Sequence, residues 1–421
     1  MNIKAPRGTT DLYSPELERW QRVEATARDL FRLFGFQEIR TPILEEAALF
    51  SRSVGDQSEI VQKQMISFLD RGERLLALRP EGTASVVRAY IERHLDQRPG
   101  IAKLFYIGPM FRAERPQAGR SRQFHQIGAE GIGSYRPHLD AEMLQWVWLF
   151  FERLGLSGAQ LKINSLGCQK DKKGLEEFLR QKLVKEKEKL CKECQTRFEK
   201  NVFRVLDCKN KECRAVCEKL PPFFEKLCGE CQDHFRTLQR FLRESEIPFV
   251  EDPHLVRGLD YYTRTAFEIT HKALGAQDAI GAGGRYDTLV ESLGGPVAGA
   301  VGFAIGFERL LMALGPSLAP KEEGVQLFLT TVGEGTFEMA CGLLPKLRRL
   351  GIPALLDFEG RSLKSQMRLA NHYGVRWVLL LGEEELKTGH GILKEMAQGE
   401  EQRVSLDDLE KLCEIVGEKR G

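Results

Sequence analysis

Two apolar stretches separated by a short polar loop constrain the fold of this 421-residue chain more than any other feature. Residues 103–114 and 122–133 alternate apolar and polar side chains with the two-residue period of a β-strand, so residues 115–121 are expected to form a hairpin loop. One face of this hairpin is apolar. The other face carries Arg112, Glu114, Phe124, Gln126 and Glu130. Converging charged and amide groups beside an aromatic ring are typical of a binding floor, rather than of the solvated face of a structural sheet.

Composition limits the class of protein. Hydrophobic residues make up 42% and charged residues 29%, and 62 Lys+Arg against 60 Asp+Glu leave a net charge of +2. These values exclude a polycation and an acidic disordered tail, and they are typical of a globular protein of two to three domains. No apolar run reaches the roughly 18–20 residues of a membrane helix, and the N-terminus has no apolar targeting core. We therefore expect a cytoplasmic protein without a membrane partner.

Changes in residue pattern divide the chain into four segments. Residues 1–169 have mixed helix and strand patterns, whereas residues 170–245 are Lys/Glu-rich, helical and cysteine-bearing, as expected of an insertion. Apolar strands resume in residues 246–316. After a linker rich in Pro, Glu and Lys, strands and helices alternate over residues 325–421, which predicts a small α/β domain with a largely parallel sheet.

Three arginines on separate core elements point to a polyphosphate site. Arg112 lies at the end of the first strand of the hairpin, Arg257 precedes a Gly-Leu-Asp-Tyr-Tyr stretch, and Arg309 opens a helix after a buried strand. Guanidinium groups bind phosphate and carboxylate bidentately, although an ordinary salt bridge is the structural alternative for each of them. The sequence has neither a GxxxxGK[ST] loop nor a strand-GxGxxG-helix motif. A nucleotide would therefore be held by arginines on an antiparallel sheet.

This combination resembles the class II aminoacyl-tRNA synthetases and, more narrowly, the histidyl-tRNA synthetases. Residues 34–42 (FGFQEIRTP), 111–114 (FRAE) and 306–310 (GFERL) are similar to the three class II motifs. Residues 255–263 (LVRGLDYYT) and 282–287 (AGGRYD) are similar to the two histidine-specific signatures, and the stretches at 6–9, 78–83 and 120–126 also match the family. The resemblance implies an α+β fold: an antiparallel catalytic sheet flanked by helices, a helical insertion and a C-terminal α/β anticodon-binding domain. It also implies a homodimer.

The resemblance implies that histidine is activated by ATP with Mg²⁺ and then transferred to tRNA(His). It assigns catalysis to Arg257 and Arg112, and ATP binding to Arg112, Glu114, Phe124 and Arg309. The histidine-binding set that it implies is Glu81, Thr83, Arg112, Gln126, Glu130, Arg257, Tyr261 and Tyr262. It places Gln117 and Arg122 at the acceptor end of the tRNA.

A cysteine cluster is the feature that the family pattern does not require. Seven of the ten cysteines fall between residues 191 and 231, and two CxxC pairs, Cys191/Cys194 and Cys228/Cys231, can supply a four-thiolate zinc site. The gap of 33 residues between the pairs is longer than usual for a zinc ribbon. Reduced structural cysteines without metal are the alternative. If zinc is bound, we expect it to stabilise the insertion far from the chemistry.

Three other functions compete with histidine–tRNA ligation. A catalytically inactive paralogue that binds histidine and regulates a phosphoribosyltransferase would usually lose signature residues and the C-terminal domain, whereas Arg257, Arg309 and that domain are present here. A class II synthetase for glycine, proline or threonine does not account for residues 259–262 (LDYY). A non-enzymatic RNA-binding protein leaves the arginine set unexplained.

Overall fold

The computed structural model describes residues 3–55, 58–115, 119–222, 224–259, 261–275, 278–317 and 325–417. The chain divides into two compact units, Met1–Pro320 and Lys321–Gly421. Among the described residues, no helix is both long and apolar enough to span a membrane.

A large sheet forms the centre of the first unit. The strands of this unit are β1 (Gln37–Glu38), β2 (Leu44–Glu46), β3 (Ile66–Leu69), β4 (Leu75–Leu78), β5 (Ala102–Phe111), β6 (Gln123–Ile132), β7 (Ala159–Ser165), β8 (Phe249–Glu251), β9 (Thr263–His271), β10 (Ala279–Arg285) and β11 (Ala300–Gly306). The large sheet has the order β1-β5-β6-β11-β10-β9-β7-β8, and β2, β4 and β3 form a separate small sheet.

The large sheet is mixed: most of the expected antiparallel catalytic sheet is present, but two strand pairs are parallel. Within the run β5-β6-β11-β10-β9-β7, every neighbouring pair of strands is antiparallel. At the two ends of the sheet, β1 pairs with β5, and β8 with β7, in parallel. Parallel neighbours need a long crossover connection. Residues 39–101 provide one for β1 and β5, and the insertion provides the other for β7 and β8, the pairs at the two edges of the sheet.

The predicted hairpin is present as β5 and β6, whose register runs from Ala102 opposite Ile132 to Phe111 opposite Gln123. Its apolar face is buried in the main core with Phe105, Ile127 and Ala129. Alternation along the strands therefore leaves the polar side chains on the opposite face, where the cleft described below lies.

Helices cover the apolar face of the sheet and fill the insertion. The helices of this unit are α1 (Glu16–Leu33), α2 (Ala47–Val54), α3 (Thr83–Glu92), α4 (Pro137–Leu154), α5 (Gln169–Leu183), α6 (Lys192–Lys200), α7 (Phe203–Leu206), α8 (Lys211–Cys217), α9 (Gly229–Glu244), α10 (Leu289–Ser292) and α11 (Phe307–Leu314). Apolar residues at helical spacing bury one face of α1, and Phe31 stacks on Phe105 and Trp146 at centroid distances of 4.2 and 3.9 Å.

The insertion comprises α5 to α9, between β7 and β8. Most of its apolar residues and cysteines form one core cluster that continues into Tyr261, Tyr262 and Tyr286, whereas Phe235, Leu238 and Leu242 of α9 belong to the main core. The insertion therefore packs within the first unit and shares a core with residues that the sequence assigns to histidine binding.

The second unit has its own sheet and its own cores. Its elements are β12 (Leu327–Val332), α12 (Thr336–Arg349), β13 (Ala354–Leu356), α13 (Leu363–His372), β14 (Trp377–Gly382), α14 (Glu383–Thr388), β15 (His390–Glu395), β16 (Glu401–Ser405) and α15 (Leu409–Gly417). In the order β13-β12-β14-β15-β16, the first three strands are parallel and the last three antiparallel. The alternating elements were predicted, except for the short helix α14.

Candidate active site

A cleft of about 260 Å³ lies over the polar face of the large sheet. Its floor includes Phe124 and Gln126 from β6, and Gly302, Ala304 and Gly306 from β11. These β11 residues are spaced by two, so they share one face of the strand. Because they carry a methyl group at most, the floor leaves room for a ligand.

The three predicted arginines line this single cleft, although they come from distant parts of the chain. Arg112 donates from Nε to the carbonyl oxygen of Pro80 at 2.9 Å, and its guanidinium lies 5.0 Å from the centroid of the Phe124 ring. Burial lowers the pKa of Arg112, and the nearby Glu114 carboxylate opposes that shift. An arginine held in this way presents its remaining N–H groups to the cleft in a fixed orientation.

Arg257 is oriented by Glu268, a residue that was not predicted from the sequence. Its Nη1 lies 2.6 Å from Glu268 Oε2, whereas its buried Nε has no hydrogen-bond partner among the described residues. Burial disfavours the charged guanidinium, but Glu268 raises its pKa above the ordinary value. Glu268 lies on β9 opposite Ala282 of β10, which also lines the cleft. The strand pattern around Glu268 could have suggested an inward-facing carboxylate.

Arg309 lies in the first turn of α11, which begins directly after β11. Its Nε donates to the carbonyl oxygen of Ala279 at 2.6 Å, and burial, followed by the neighbouring Arg120, lowers its pKa. Arg120 also lines the cleft and pairs with Glu114 at 3.2 Å. The cleft therefore carries several positive groups, as a site for a triphosphate requires.

A chain of buried polar groups forms the other end of the cleft. The carboxylate of Glu81 accepts from the backbone N–H groups of Thr83 and Ala84 at 2.6 and 2.9 Å, at the start of α3. Thr83 Oγ1 in turn donates to Glu130 at 2.7 Å, and Tyr286 donates to the same carboxyl group at 2.5 Å. Both oxygens of Glu130 are therefore bonded within the protein.

Glu130 lies on the same face of the sheet as Gln126 but is not among the residues that line the cleft, and its assignment to histidine binding stays a prediction. It is fully buried, and a Cβ atom on Gly302, the residue opposite it on β11, would lie only 1.7 Å from its Oε2. Glycine at position 302 is therefore required for the side chain of Glu130 to lie across β11. The hydrogen bonds to Thr83 and Tyr286 make Glu130 a support for groups that do face the cleft.

Stability should depend on pH through Glu130. Burial raises the pKa of this carboxyl group from 4.5 to about 8, so its stabilising contribution is complete below about pH 4.5 and is lost as the pH rises towards 8. From about pH 5 to pH 8, the free energy of unfolding of the wild type should therefore fall further than that of Glu130→Gln. The difference between the two falls should be up to about 4 kcal/mol. Denaturant unfolding at both pH values measures this change. The control is Glu142→Gln, which removes a partly exposed carboxylate. An unchanged pH dependence in Glu130→Gln would contradict the assignment.

An aromatic wall and an unpaired amide complete this end. Tyr261 and Tyr262 line the cleft with ring centroids 4.7 Å apart, and Tyr261 packs edge-on against Tyr286 at 5.7 Å. The Oε1 atom of Gln126 is buried without a hydrogen-bond partner among the described residues. Because leaving a buried acceptor unpaired costs about 1–3 kcal/mol, this atom points to a ligand that donates a hydrogen bond.

The remaining predicted residues separate into those inside and outside the cleft. Glu81, Thr83 and Glu114 line it, whereas Arg122 is exposed outside it. Gln117 lies outside the described residues. Ser121 and Lys209 line the cleft but were not predicted. Lys209 lies in the insertion, where its sequence neighbourhood resembles any solvated lysine-rich segment.

The cysteine prediction was wrong in its pairing. The structure places Cys191 and Cys194 with Cys208 and Cys213, whereas Cys228 and Cys231 belong to a second group with Cys168 and Asp171. The two CxxC pairs begin different helices, α6 and α9. Each pair therefore has its partners in a different part of the insertion, and a single site joining the two pairs is excluded.

A largely antiparallel sheet with three arginines around one cleft, together with a separate α/β unit, is the arrangement that the resemblance to the class II aminoacyl-tRNA synthetases implies. Residues 8–310 match the family model of histidyl-tRNA synthetase, and residues 326–414 match that of an anticodon-binding domain. The chain therefore belongs to the histidyl-tRNA synthetase family, whose members are class II aminoacyl-tRNA ligases.

Full-length relatives support the same assignment. The chain is 49% identical over 417 residues to the histidine–tRNA ligase of Desulforudis audaxviator, with 97% of this chain and 98% of that protein covered. It is 48% identical to the histidine–tRNA ligase of Moorella thermoacetica, with 98% of each covered. The crystal structure of apo S. aureus histidyl-tRNA synthetase superposes with a TM-score of 0.83 at 36% identity, covering 98% of this chain and 99% of that one.

Proposed function

We propose that the protein is a histidine–tRNA ligase that forms histidyl-adenylate and pyrophosphate from histidine and ATP, then transfers histidine to the 3′ end of tRNA(His). The observation that carries this proposal is the convergence of Arg112, Arg257 and Arg309 on one cleft. Activation brings a carboxylate to the α-phosphorus of a triphosphate, so two anions must approach each other. Fixed guanidinium groups can neutralise both reactants without reorganising during the reaction.

ATP, as its Mg²⁺ complex, would lie along the half of the cleft that holds Phe124 and Arg309. Phe124 offers a ring face for stacking on adenine, and Glu114 can accept hydrogen bonds from the adenine edge. Arg309 would hold the γ-phosphate. Arg112 would bind the α-phosphate together with the substrate carboxylate, a role suited to a guanidinium that is itself positioned over Phe124.

Arg257 is the residue that we assign to the chemical step. Attack of the histidine carboxylate on the α-phosphorus adds negative charge to its non-bridging oxygens, and pyrophosphate leaves. Arg257 would stabilise that charge, while Glu268 at 2.6 Å holds the guanidinium in place. Because Glu268 acts through Arg257, it is a positioning residue.

Histidine would bind at the end lined by Glu81, Thr83, Gln126, Tyr261 and Tyr262. The carboxylate of Glu81 and the unpaired Oε1 of Gln126 offer acceptors for the α-ammonium group or the ring N–H. An apolar amino acid of similar size would leave these buried groups unpaired, and such a mismatch is strongly rejected. The tyrosine rings limit the width of the pocket.

Exchange of labelled pyrophosphate into ATP, measured with each of the twenty amino acids, tests this function. Histidine should support exchange at least about a thousandfold better than any other amino acid, because a site that hydrogen-bonds its substrate rejects isosteres by that order or more. Exchange with another amino acid would establish a different class II specificity. Histidine binding without exchange would instead favour the regulatory paralogue.

The remaining features of the proposal concern assembly and partners. We infer a cytoplasmic homodimer, in which residues 34–42 contribute to the dimer interface. The second unit would bind the anticodon of the tRNA, and Arg122, together with Gln117, would meet the acceptor end. We also include structural Zn²⁺ in the insertion, since both cysteine groups in the described residues have the donor atoms that zinc prefers.

A further inference from the structure

Two groups of four metal-ligating side chains lie within the insertion region, and no residue belongs to both. The first group is Cys191, Cys194, Cys208 and Cys213. The second group is Cys168, Asp171, Cys228 and Cys231. Within each group, one ligand atom from every residue lies within 4.8 Å of the others. All ten cysteines of the chain are free, so neither group is a disulfide pair.

The first group has the spacing of a four-thiolate site. Cys191 precedes α6 and Cys194 lies in its first turn, so this CxxC pair directs both sulfur atoms to one side. The Sγ atoms of Cys191 and Cys208 are 3.9 Å apart, close to the ~3.8 Å between corners of a tetrahedron with Zn–S bonds of about 2.3 Å. The backbone N–H of Cys191 donates to Cys213 Sγ at 3.2 Å. Such a bond orients a sulfur ligand.

The second group joins the starts of two long helices. Cys168 precedes α5 with Asp171 in its first turn, and Cys228 precedes α9 with Cys231 in its first turn. The carboxylate of Asp171 accepts from the backbone N–H of Cys168 at 3.0 Å and from that of Cys228 at 2.9 Å, one through each oxygen. Each oxygen retains a second lone pair, so the carboxylate can also ligate a metal.

We propose that the insertion binds two zinc ions, one in the four-thiolate group and one in the group of three thiolates and one carboxylate. Thiolate-rich, four-coordinate sets select Zn²⁺, and closed sets of this kind serve structure rather than catalysis. The helices α6, α7 and α8 contain only 9, 4 and 7 residues. Helices this short are marginal alone, and metal binding supplies folding free energy to such segments.

The first site also adjoins the cleft, contrary to the expectation that a metal in the insertion lies far from the chemistry. Lys209, which lines the cleft, directly follows the ligand Cys208. Arg204, four residues before Cys208, donates from Nη2 to the carbonyl oxygen of Gly258 at 2.5 Å, immediately after Arg257. A metal bound at the first site would therefore hold this part of the insertion against the arginine segment. This coupling rests on the proposed function, whereas the presence of two zinc sites does not.

Metal analysis of the full-length protein tests the two sites. The wild type should contain two zinc ions per chain, and Cys208→Ser and Asp171→Asn should each contain one. Cys217→Ser is the matched control, since Cys217 is a buried cysteine of the same insertion that belongs to neither group; it should keep both ions. One zinc ion or none in the wild type, or equal loss in Cys217→Ser, would overturn the proposal.

Cobalt substitution of the wild type provides a test that does not depend on whether a variant folds. Two equivalents of Co²⁺ should produce the visible bands of tetrahedral cobalt together with thiolate-to-cobalt charge transfer, and both should reach a plateau at two equivalents. The absence of these bands, or a plateau at one equivalent, would count against two sites.

The Michaelis constant for ATP tests the coupling to the cleft. Cys208→Ser should raise the KM for ATP in histidine-dependent exchange by about tenfold, because a displaced Lys209 no longer contributes its charge to the cleft. Asp171→Asn should change it by less than about threefold, because the second site does not adjoin the cleft in this way. Equal changes in the two variants would overturn the coupling. Absence of exchange in the wild type would overturn the proposed function and leave the zinc counts to stand.

Discussion

Replacing Arg257 with alanine should lower the rate constant of histidine-dependent pyrophosphate exchange by about a thousandfold or more, the range found when a preorganised charge is removed from a phosphoryl-transfer site. The effect should fall on kcat more than on the KM values, because the proposed role of Arg257 is to stabilise charge that develops in the transition state. Stopped-time exchange assays with saturating histidine and ATP measure this directly.

Two further variants separate loss of the charge from loss of its position. Arg257→Lys keeps the charge but lacks the planar fork, and Glu268→Gln keeps the shape of the partner but weakens the 2.6 Å ion pair. Both should retain more exchange than Arg257→Ala. Circular dichroism must show that the alanine variant remains folded, since Arg257 is part-buried and its loss leaves Glu268 unpaired. Near-normal exchange in a folded Arg257→Ala protein would refute the assignment of this arginine.

Deleting residues 325–421 should separate the two steps of the reaction. Exchange should stay within about threefold of the full-length value, whereas charging of tRNA should fall by at least about a hundredfold, because the loss of an RNA-binding surface removes many contacts at once. Parallel exchange and aminoacylation assays on the same preparations measure both quantities.

The design rests on the apolar clusters of the second unit in the described part of the chain. Its two apolar clusters contain only residues from Val325 onward, including Leu327 and Leu379 in one and Phe328 and Val378 in the other. Removal should therefore leave the first unit folded, which an unchanged unfolding transition of that unit would verify. An equal fall in exchange and charging would contradict the assignment of histidine activation to the first unit and of tRNA binding to the second.

The features predicted from the sequence are those that depend on local patterns. The hairpin of β5 and β6 follows from alternation along the chain, and α1 follows from apolar residues at helical spacing. The cleft residues Arg112, Gln126 and Tyr261 were identified through short motifs, in which neighbouring positions carry the information.

The features missed by the sequence are those that depend on contacts between distant residues. Glu268 looks like any strand carboxylate until Arg257 is placed beside it, and the buried hydrogen bonds of Glu130 join it to Thr83 and Tyr286 from distant segments. The two CxxC pairs were expected to meet, but α6 and α9 begin in different places, so each pair finds other partners.

By itself, the sequence determined the family, the order of the segments and the residue types around the cleft, because periodicity and short motifs are properties of neighbouring residues. Only the tertiary structure decided the parallel edges of the sheet, the burial of Glu130, the pairing of Arg257 with Glu268 and the division of the cysteines into two groups. The physical reason is that the geometry of an ion pair or a ligand set is fixed by strands and helices that meet far apart along the chain.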